Sequence, residues 1–280
     1  MKLSDFFQSS ETITSTHSWL LSSHDPLSIP DRDTLARIVA DRIIEHQCRG
    51  AKHHYLAWKQ RFDGGELLST SSQDALRRAF IGPVFGLPEE PDTVPLDHLE
   101  GYVSQMLWYF FYLDSPPEEI IRVEPPGFRS TDPGGDALAV HRIGGSYLMF
   151  RLWEIKKYTG TQGVSGGVSS TVNDAYNQLN AKALEYLARY TAIGQEISDN
   201  PELTAFYGQL VDLWLEAQQE ATVGISVATS LCHVPEQCFT TFGAQFPRFT
   251  NPIRLRGMLT AVGDFTIFAL LVRDYIWRGL

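Results

Sequence analysis

The 280-residue chain has little cysteine, no long apolar run and no surplus of positive charge. Its three cysteines, Cys48, Cys232 and Cys238, are too few and odd in number for a secreted disulfide framework, so a reducing cytoplasm is expected. The longest apolar run, Met106 to Leu113, falls far short of the roughly 20 residues that span a bilayer. The first residues, Met1-Lys2-Leu3-Ser4-Asp5, turn acidic at once with no apolar leader behind them. A soluble, cytoplasmic protein without a membrane partner is the expectation.

The charge balance, 23 Lys and Arg against 33 Asp and Glu for a net −10, sits awkwardly with nucleic-acid binding. Duplex affinity comes largely from phosphate neutralisation by a basic face. A nucleic-acid enzyme of this composition needs a local basic groove, or a partner that delivers the substrate. Arg248, Arg254, Arg256, Arg273 and Arg278, with Lys156, Lys157 and Lys182, are the candidates; otherwise they are solvated surface charges. Two further patterns are incomplete. Cys232-His233 with Cys238 lacks a fourth zinc ligand, and His46 and His53-His54 have no cysteine or acidic partner at ligand spacing, so they read as helix-surface histidines.

What is present reads as an α/β chain. The first 30 residues are Ser/Thr-rich around an apolar patch at Trp19-Leu20-Leu21 that suits a strand or two. Helices are predicted from Asp31 or Asp33 to about Gln47, over 54–62 and over 73–81. A proline-rich acidic connector, Pro88 to Pro95, is the one plausible boundary. It separates a mainly helical region 1–95 from a core 96–280, unless the two are one continuous domain. Residues 97–113 predict a buried helix, capped by Asp97 and apolar nearly all round. Further along come a helix from 169–171 to about Tyr190, an amphipathic helix over 202–219, a strand over 221–231 and a C-terminal helix over 258–278.

The most informative stretch runs from Asp132 to Lys157 and predicts a β-hairpin. Ala137-Leu138-Ala139-Val140 is a short apolar run, Gly144-Gly145-Ser146 a turn signal, and Tyr147 to Ile155 is rich in strand formers. Side chains alternate along a strand, so Leu148, Phe150, Leu152, Glu154 and Lys156 share one face. A three-residue loop sets Ile143 against Tyr147 and therefore Asp136 against Glu154. A two-residue loop would pair Asp136 with Trp153 and turn its carboxylate to the other face. With the longer loop, Asp136, Glu154 and Lys156 converge.

Pro133-Gly134-Gly135-Asp136 followed by Glu154-Ile155-Lys156 resembles the active-site motif of the PD-(D/E)xK nuclease superfamily, the restriction-endonuclease-like fold. The resemblance implies an α/β sandwich with a central mixed sheet flanked by helices. It also implies Mg²⁺ (or Mn²⁺) on Asp136 and Glu154, with a carbonyl such as that of Ile155. Lys156 would position the attacking water and offset phosphate charge. The proline stands two glycines before Asp136, a departure from the motif that leaves Asp132 as a possible substitute for Asp136. The plainer alternative is a surface Glu-Lys pair at a strand end.

In that superfamily a helix before the hairpin often lends an acidic residue to the metal, and Glu100 fits the place; helix-dipole stabilisation is its plainer role. Some subfamilies place a glutamine on the following helix, where Gln178 stands with Tyr186. The glycine-rich loop 159–167 is not a Walker A loop, because no Gly-Lys-Ser/Thr closes it. More loosely, Asp97 to Tyr190 resembles the DUF1837-type nuclease subunit of the Hachiman anti-phage defence system. That implies a DNA-cleaving bacterial effector restrained by a helicase partner.

Two other functions are open at this point. One is a non-catalytic nucleic-acid-binding or structural subunit on a nuclease fold. The other is a serine hydrolase, since Gly163-Val164-Ser165-Gly166-Gly167 matches G-x-S-x-G with Asp212 and His233 downstream. About eight polar or glycine residues separate Ser165 from the preceding strand, which a nucleophile elbow does not tolerate.

Overall fold

The computed structural model describes residues 2–24, 29–66, 69–116, 118–127, 136–145, 147–160, 167–197 and 200–280. Seven strands form one mixed sheet in the order β1 (Gln8–Ile13), β2 (Ser18–Ser23), β7 (Leu255–Val262), β6 (Ala221–Ser230), β5 (Tyr147–Tyr158), β4 (Ala137–Ile143), β3 (Glu119–Glu124). The central strands β2, β7, β6 and β5 run parallel to one another. Antiparallel pairs, β1 with β2 at one end and β5–β4–β3 at the other, close the sheet.

Helices cover both faces, as a parallel sheet requires. On one side lie α1 (Ile29–Gln47), α2 (Lys52–Phe62), the 19-residue α5 (Leu96–Asp114) and α10 (Phe265–Arg278). The other side holds α6 (Gly167–Ile197), α7 (Pro201–Tyr207), α8 (Leu210–Leu215) and the short α9 (Phe242–Gln245). Between α2 and α5 come α3 (Thr70–Ala75), a π-helical turn over Leu76–Ile81 and α4 (Gly82–Phe85). Among the described residues no helix is long and apolar enough to cross a membrane.

The hairpin has the predicted register: Ile143 pairs with Tyr147 and Ala137 with Trp153. Gly144 and Gly145 both take positive φ (57° and 72°), a backbone that glycine adopts without steric penalty. Trp153 shows how the α5 face packs. Its ring meets Trp108 at 5.2 Å and Tyr112 at 5.3 Å between centroids. Across the ladder it faces Gly224, where a Cβ would fall 2.3 Å from the indole. The glycine inside β6 is therefore the space that Trp153 fills.

Elsewhere the structure departs from expectation. Residues 255–262 are strand, not the start of the C-terminal helix, and Gly263-Asp264 divides them from α10. A parallel strand buried on both faces is a continuous apolar run, which periodicity cannot tell from a buried helix. The amphipathic helix over 202–219 is two shorter pieces, α7 and α8. Asp97 does not cap α5. Pro95 holds the N-cap position and Asp97 instead pairs with Lys157 at 2.8 Å. The first 24 residues supply β1 and β2, so the N-terminal region contributes to the same sheet as the hairpin. The acidic connector packs on α10: Arg273 donates to the Pro91 carbonyl at 3.5 Å and Trp277 to that of Gly86 at 3.1 Å.

Candidate metal and phosphodiester site

Asp136, Glu154 and Lys156 come together at the start of β4 and the C-terminal part of β5. Asp136 directly precedes the first residue of β4, so its carboxylate continues the line of the ladder. Oδ2 accepts the Ile155 N–H at 2.6 Å, and Oδ1 accepts from Gln105 Nε2 of α5 at 2.8 Å. Two groups on different elements thus hold it in place.

Glu154 is fully buried. The Lys156 ammonium stands 2.7 Å from its Oε1, and the carboxyl of Asp136 is a second polar neighbour. Burial, and then the charge of nearby Asp136, raise its pKa to about 8. Burial likewise raises that of Asp136. Lys156 moves the opposite way from a simple buried amine. Desolvation favours its neutral form, yet the negative charge of Glu154 outweighs that and raises its pKa. Two neighbouring carboxyls beside one ammonium thus share too little positive charge. A cation bound between them would supply the remainder.

Two buried carboxyls beside a single ammonium suit a hard, oxygen-seeking ion. Among the described residues no three His, Cys, Asp or Glu side chains lie together as a ready metal cage. Mg²⁺ does not need one, because it keeps several waters and binds through one or two carboxylates. Asp136 and Glu154 fit that donor set. A closed structural zinc site of four protein ligands would not.

The network extends into α6. Lys156 Nζ donates to Gln178 Oε1 at 2.8 Å, and Gln178 Nε2 donates to the Tyr186 hydroxyl at 3.0 Å. Gln178 thus reaches the site through the lysine. On the other side, the Ser104 hydroxyl of α5 donates to the Lys156 carbonyl at 3.0 Å. Ser104 and Gln105 escaped notice in the sequence, although they are adjacent polar residues inside a helix that is otherwise apolar at this level.

Glu100 does not join the carboxyl pair. Lys157 follows Lys156 and therefore points to the opposite face of β5, where it forms an ion pair with Glu100 Oε2. The Thr266 hydroxyl donates to Oε1 at 2.6 Å. Both Glu100 oxygens thus have partners of their own, as both Asp136 oxygens do.

Among the described residues, Arg254, Arg256, Arg273 and Arg278 make contacts away from Asp136, Glu154 and Lys156. Arg254 donates to the carbonyls of Ala217, Gln218 and Ala221, before and at the start of β6, and Arg256 pairs with Glu11 at 3.0 Å. Arg273 and Arg278 lie over Trp277 and Tyr275 of their own helix. Cys232 is exposed, whereas burial pushes the Cys238 thiol up to about 12. Asp212 lies on α8 before β6, and His233 follows β6, on opposite ends of a ten-residue strand. Asp132, Pro133, Gly134, Gly135, Ser146 and Ser165 lie outside the described residues. No family model matches the chain, and a search of curated proteins finds no match.

Proposed function

We propose that the protein is a Mg²⁺- or Mn²⁺-dependent nuclease that hydrolyses DNA phosphodiester bonds. What supports the reading above all is Glu154: a fully buried carboxylate beside Asp136, with the Lys156 ammonium as the one positive charge among the described residues close to both. Such a group is unfavourable unless a cation or a proton joins it. Asp136 and Glu154 would hold the ion. The chemistry supplied by bound Mg²⁺ is polarisation of a phosphoryl oxygen and a water of lowered pKa.

The chain's own residues set the rest. Gln105 and the Ile155 N–H fix the rotamer of Asp136. Gln178 holds Lys156 from the α6 side, leaving an ammonium poised to neutralise charge that builds on the phosphate. Lys156 keeps its proton at neutral pH because Glu154 raises its pKa, so it acts as a fixed positive charge and hydrogen-bond donor, not as a base.

A net charge of −10 disfavours unaided engagement of DNA. On the looser resemblance of Asp97 to Tyr190 to the Hachiman nuclease subunit, we assign the chain the effector role in a bacterial anti-phage complex, with a helicase partner that brings substrate to it. The test is cleavage of plasmid and linear DNA in Mg²⁺ or Mn²⁺, by wild type, Glu154→Ala and Lys156→Ala, each alone and with a candidate helicase. Metal-dependent nicking by wild type and its loss in both variants is expected. Equal nicking by all three would mean a contaminant.

A further inference from the structure

The row of polar side chains on β5 does not stop at Lys156. Tyr158 is the next residue on the same face, and β5 continues through it. Its partner across the parallel ladder is Thr229, whose hydroxyl donates to the Tyr158 carbonyl at 2.8 Å. Four residues later His233 turns back over the same strand end. Its imidazole stands edge-on to Tyr158, with centroids 5.1 Å apart and planes at 72°. The ring also lies directly on Gly160, where an added Cβ would fall 2.5 Å from Cε1 and 2.7 Å from Nε2. Gly160 has φ +75°, so the sequence places a residue without a side chain where the histidine needs the room. Nδ1 is buried and has no hydrogen-bond partner among the described residues. A Cβ added at Gly167, the first residue of the 31-residue α6, would stand 3.9 Å from the Tyr158 hydroxyl. An aromatic ring and an imidazole are thus held together at the end of β5 by backbone and glycine geometry.

Two residues along a strand advance the row by about 6.7 Å. Neighbouring phosphates of a nucleic-acid chain are separated by a similar distance. A strand whose scissile phosphate sits at Glu154 and Lys156 would therefore bring its next nucleotide to Tyr158 and His233. From this geometry we infer that Tyr158 and His233 form a binding subsite for the nucleotide adjoining the scissile phosphodiester. The imidazole donates to the flanking phosphate, and the phenol ring offers a surface to its base or sugar. This rests on the proposed nuclease activity. It also gives an acidic protein a local way to grip a phosphate chain without a basic groove.

The experiment measures oligonucleotide affinity by fluorescence anisotropy in Ca²⁺ and cleavage kinetics in Mg²⁺. The proteins are wild type, His233→Ala and Tyr158→Leu, each checked for folding by its melting temperature. Both substitutions should weaken affinity and raise KM by about tenfold, the scale of one lost stacking or phosphate contact. The value of kcat should stay within about twofold. An uncharged methylphosphonate is then placed at the phosphate next to the cleaved one. It should weaken wild type by the same factor as His233→Ala, and should add nothing in that variant. A purely structural role for His233 would not produce that loss of additivity. If wild type cleaves and the variants match it, or if the methylphosphonate effect persists in His233→Ala, the subsite is overturned and the nuclease proposal stands. Should wild type neither bind nor cleave any DNA, both fall together.

Discussion

Lys156 Nζ stands 2.7 Å from Glu154 Oε1, on the same face of β5, and is the one ammonium among the described residues close to both Glu154 and Asp136. One ammonium between two carboxyls leaves a deficit of positive charge that a proton or a metal ion can fill. The competition between those two occupants underlies the first two expectations.

Without metal, stability should fall as pH rises through the window set by Glu154. Its folded pKa of about 8 lies above the ordinary 4.5, so between those values the native state binds more protons than the unfolded chain. Stability then decreases with pH and levels off above about 8, with a total change on the order of a few kcal/mol. Lys156 adds no slope in that window, because its raised pKa makes its contribution vanish only above its own alkaline range. Thermal melts in EDTA from pH 5 to pH 8.5 test this. Glu154→Gln should remove most of the slope; an equal slope in that variant would show that other groups cause it.

Mg²⁺ should reverse the loss. Ion and proton compete for the same carboxylates, so the rise in melting temperature on adding Mg²⁺ should be larger at pH 8 than at pH 5.5. Asp136→Asn and Glu154→Gln should each abolish the rise. A rise independent of pH, or one that survives both substitutions, would place the ion elsewhere.

The hairpin and its register were legible because every local signal agreed. Alternation along Tyr147–Tyr158 marked the strand, the two glycines marked the turn, and counting back from Ile143 against Tyr147 put Asp136 beside Glu154. The strand Leu255–Val262 was not legible, since a centre strand between β2 and β6 is largely buried on both faces and its polar residues, Arg256 and Thr260, mark no regular period of two. The partner of Glu100 was not legible for a different reason. That counter-ion, Lys157, is chosen by which face of β5 an odd-numbered residue occupies. Gln105 could be found only as an exception, a long polar side chain inside the run Val103 to Tyr112.

Gln105 should act as a positioning residue. Its amide fixes Asp136 Oδ1 from α5, so Gln105→Leu keeps the volume and frees the carboxylate to rotate. Metal affinity, and activity with it, should fall about 10- to 100-fold, as for other partners that orient a metal ligand. Titration calorimetry with Mn²⁺ separates this from general destabilisation. Gln105→Glu, which would set a third carboxyl beside Asp136, should raise the pH at which the ion binds. Unchanged Mn²⁺ affinity in Gln105→Leu would remove Gln105 from the site.

Arg151 tests the far part of the same strand, on the α5 face. It is fully buried, and donates to Glu118 through both terminal nitrogens (3.2 and 3.1 Å), to the Ile253 carbonyl at 2.8 Å and to Tyr112 at 3.3 Å. Burial works to raise the Glu118 pKa, but the guanidinium overcomes it and holds the carboxyl below its usual range. Burial and the same positive charge push His141, which shares the Tyr112 hydroxyl at 2.7 Å, down to about 3. Arg151→Leu would strand Glu118 and the Ile253 carbonyl, with an expected loss of about 3–5 kcal/mol. Arg151→Lys should recover little, because one ammonium cannot reproduce the fork on Glu118. The pH signature is opposite in sign to that of Glu154: stability from a depressed carboxyl is present above about 4.5 and lost as pH falls through its folded value. Urea unfolding of both variants at pH 7 and pH 4 measures the two effects. A loss of under about 1 kcal/mol in Arg151→Leu would mean that the network is replaceable by apolar packing, as some buried ion pairs are.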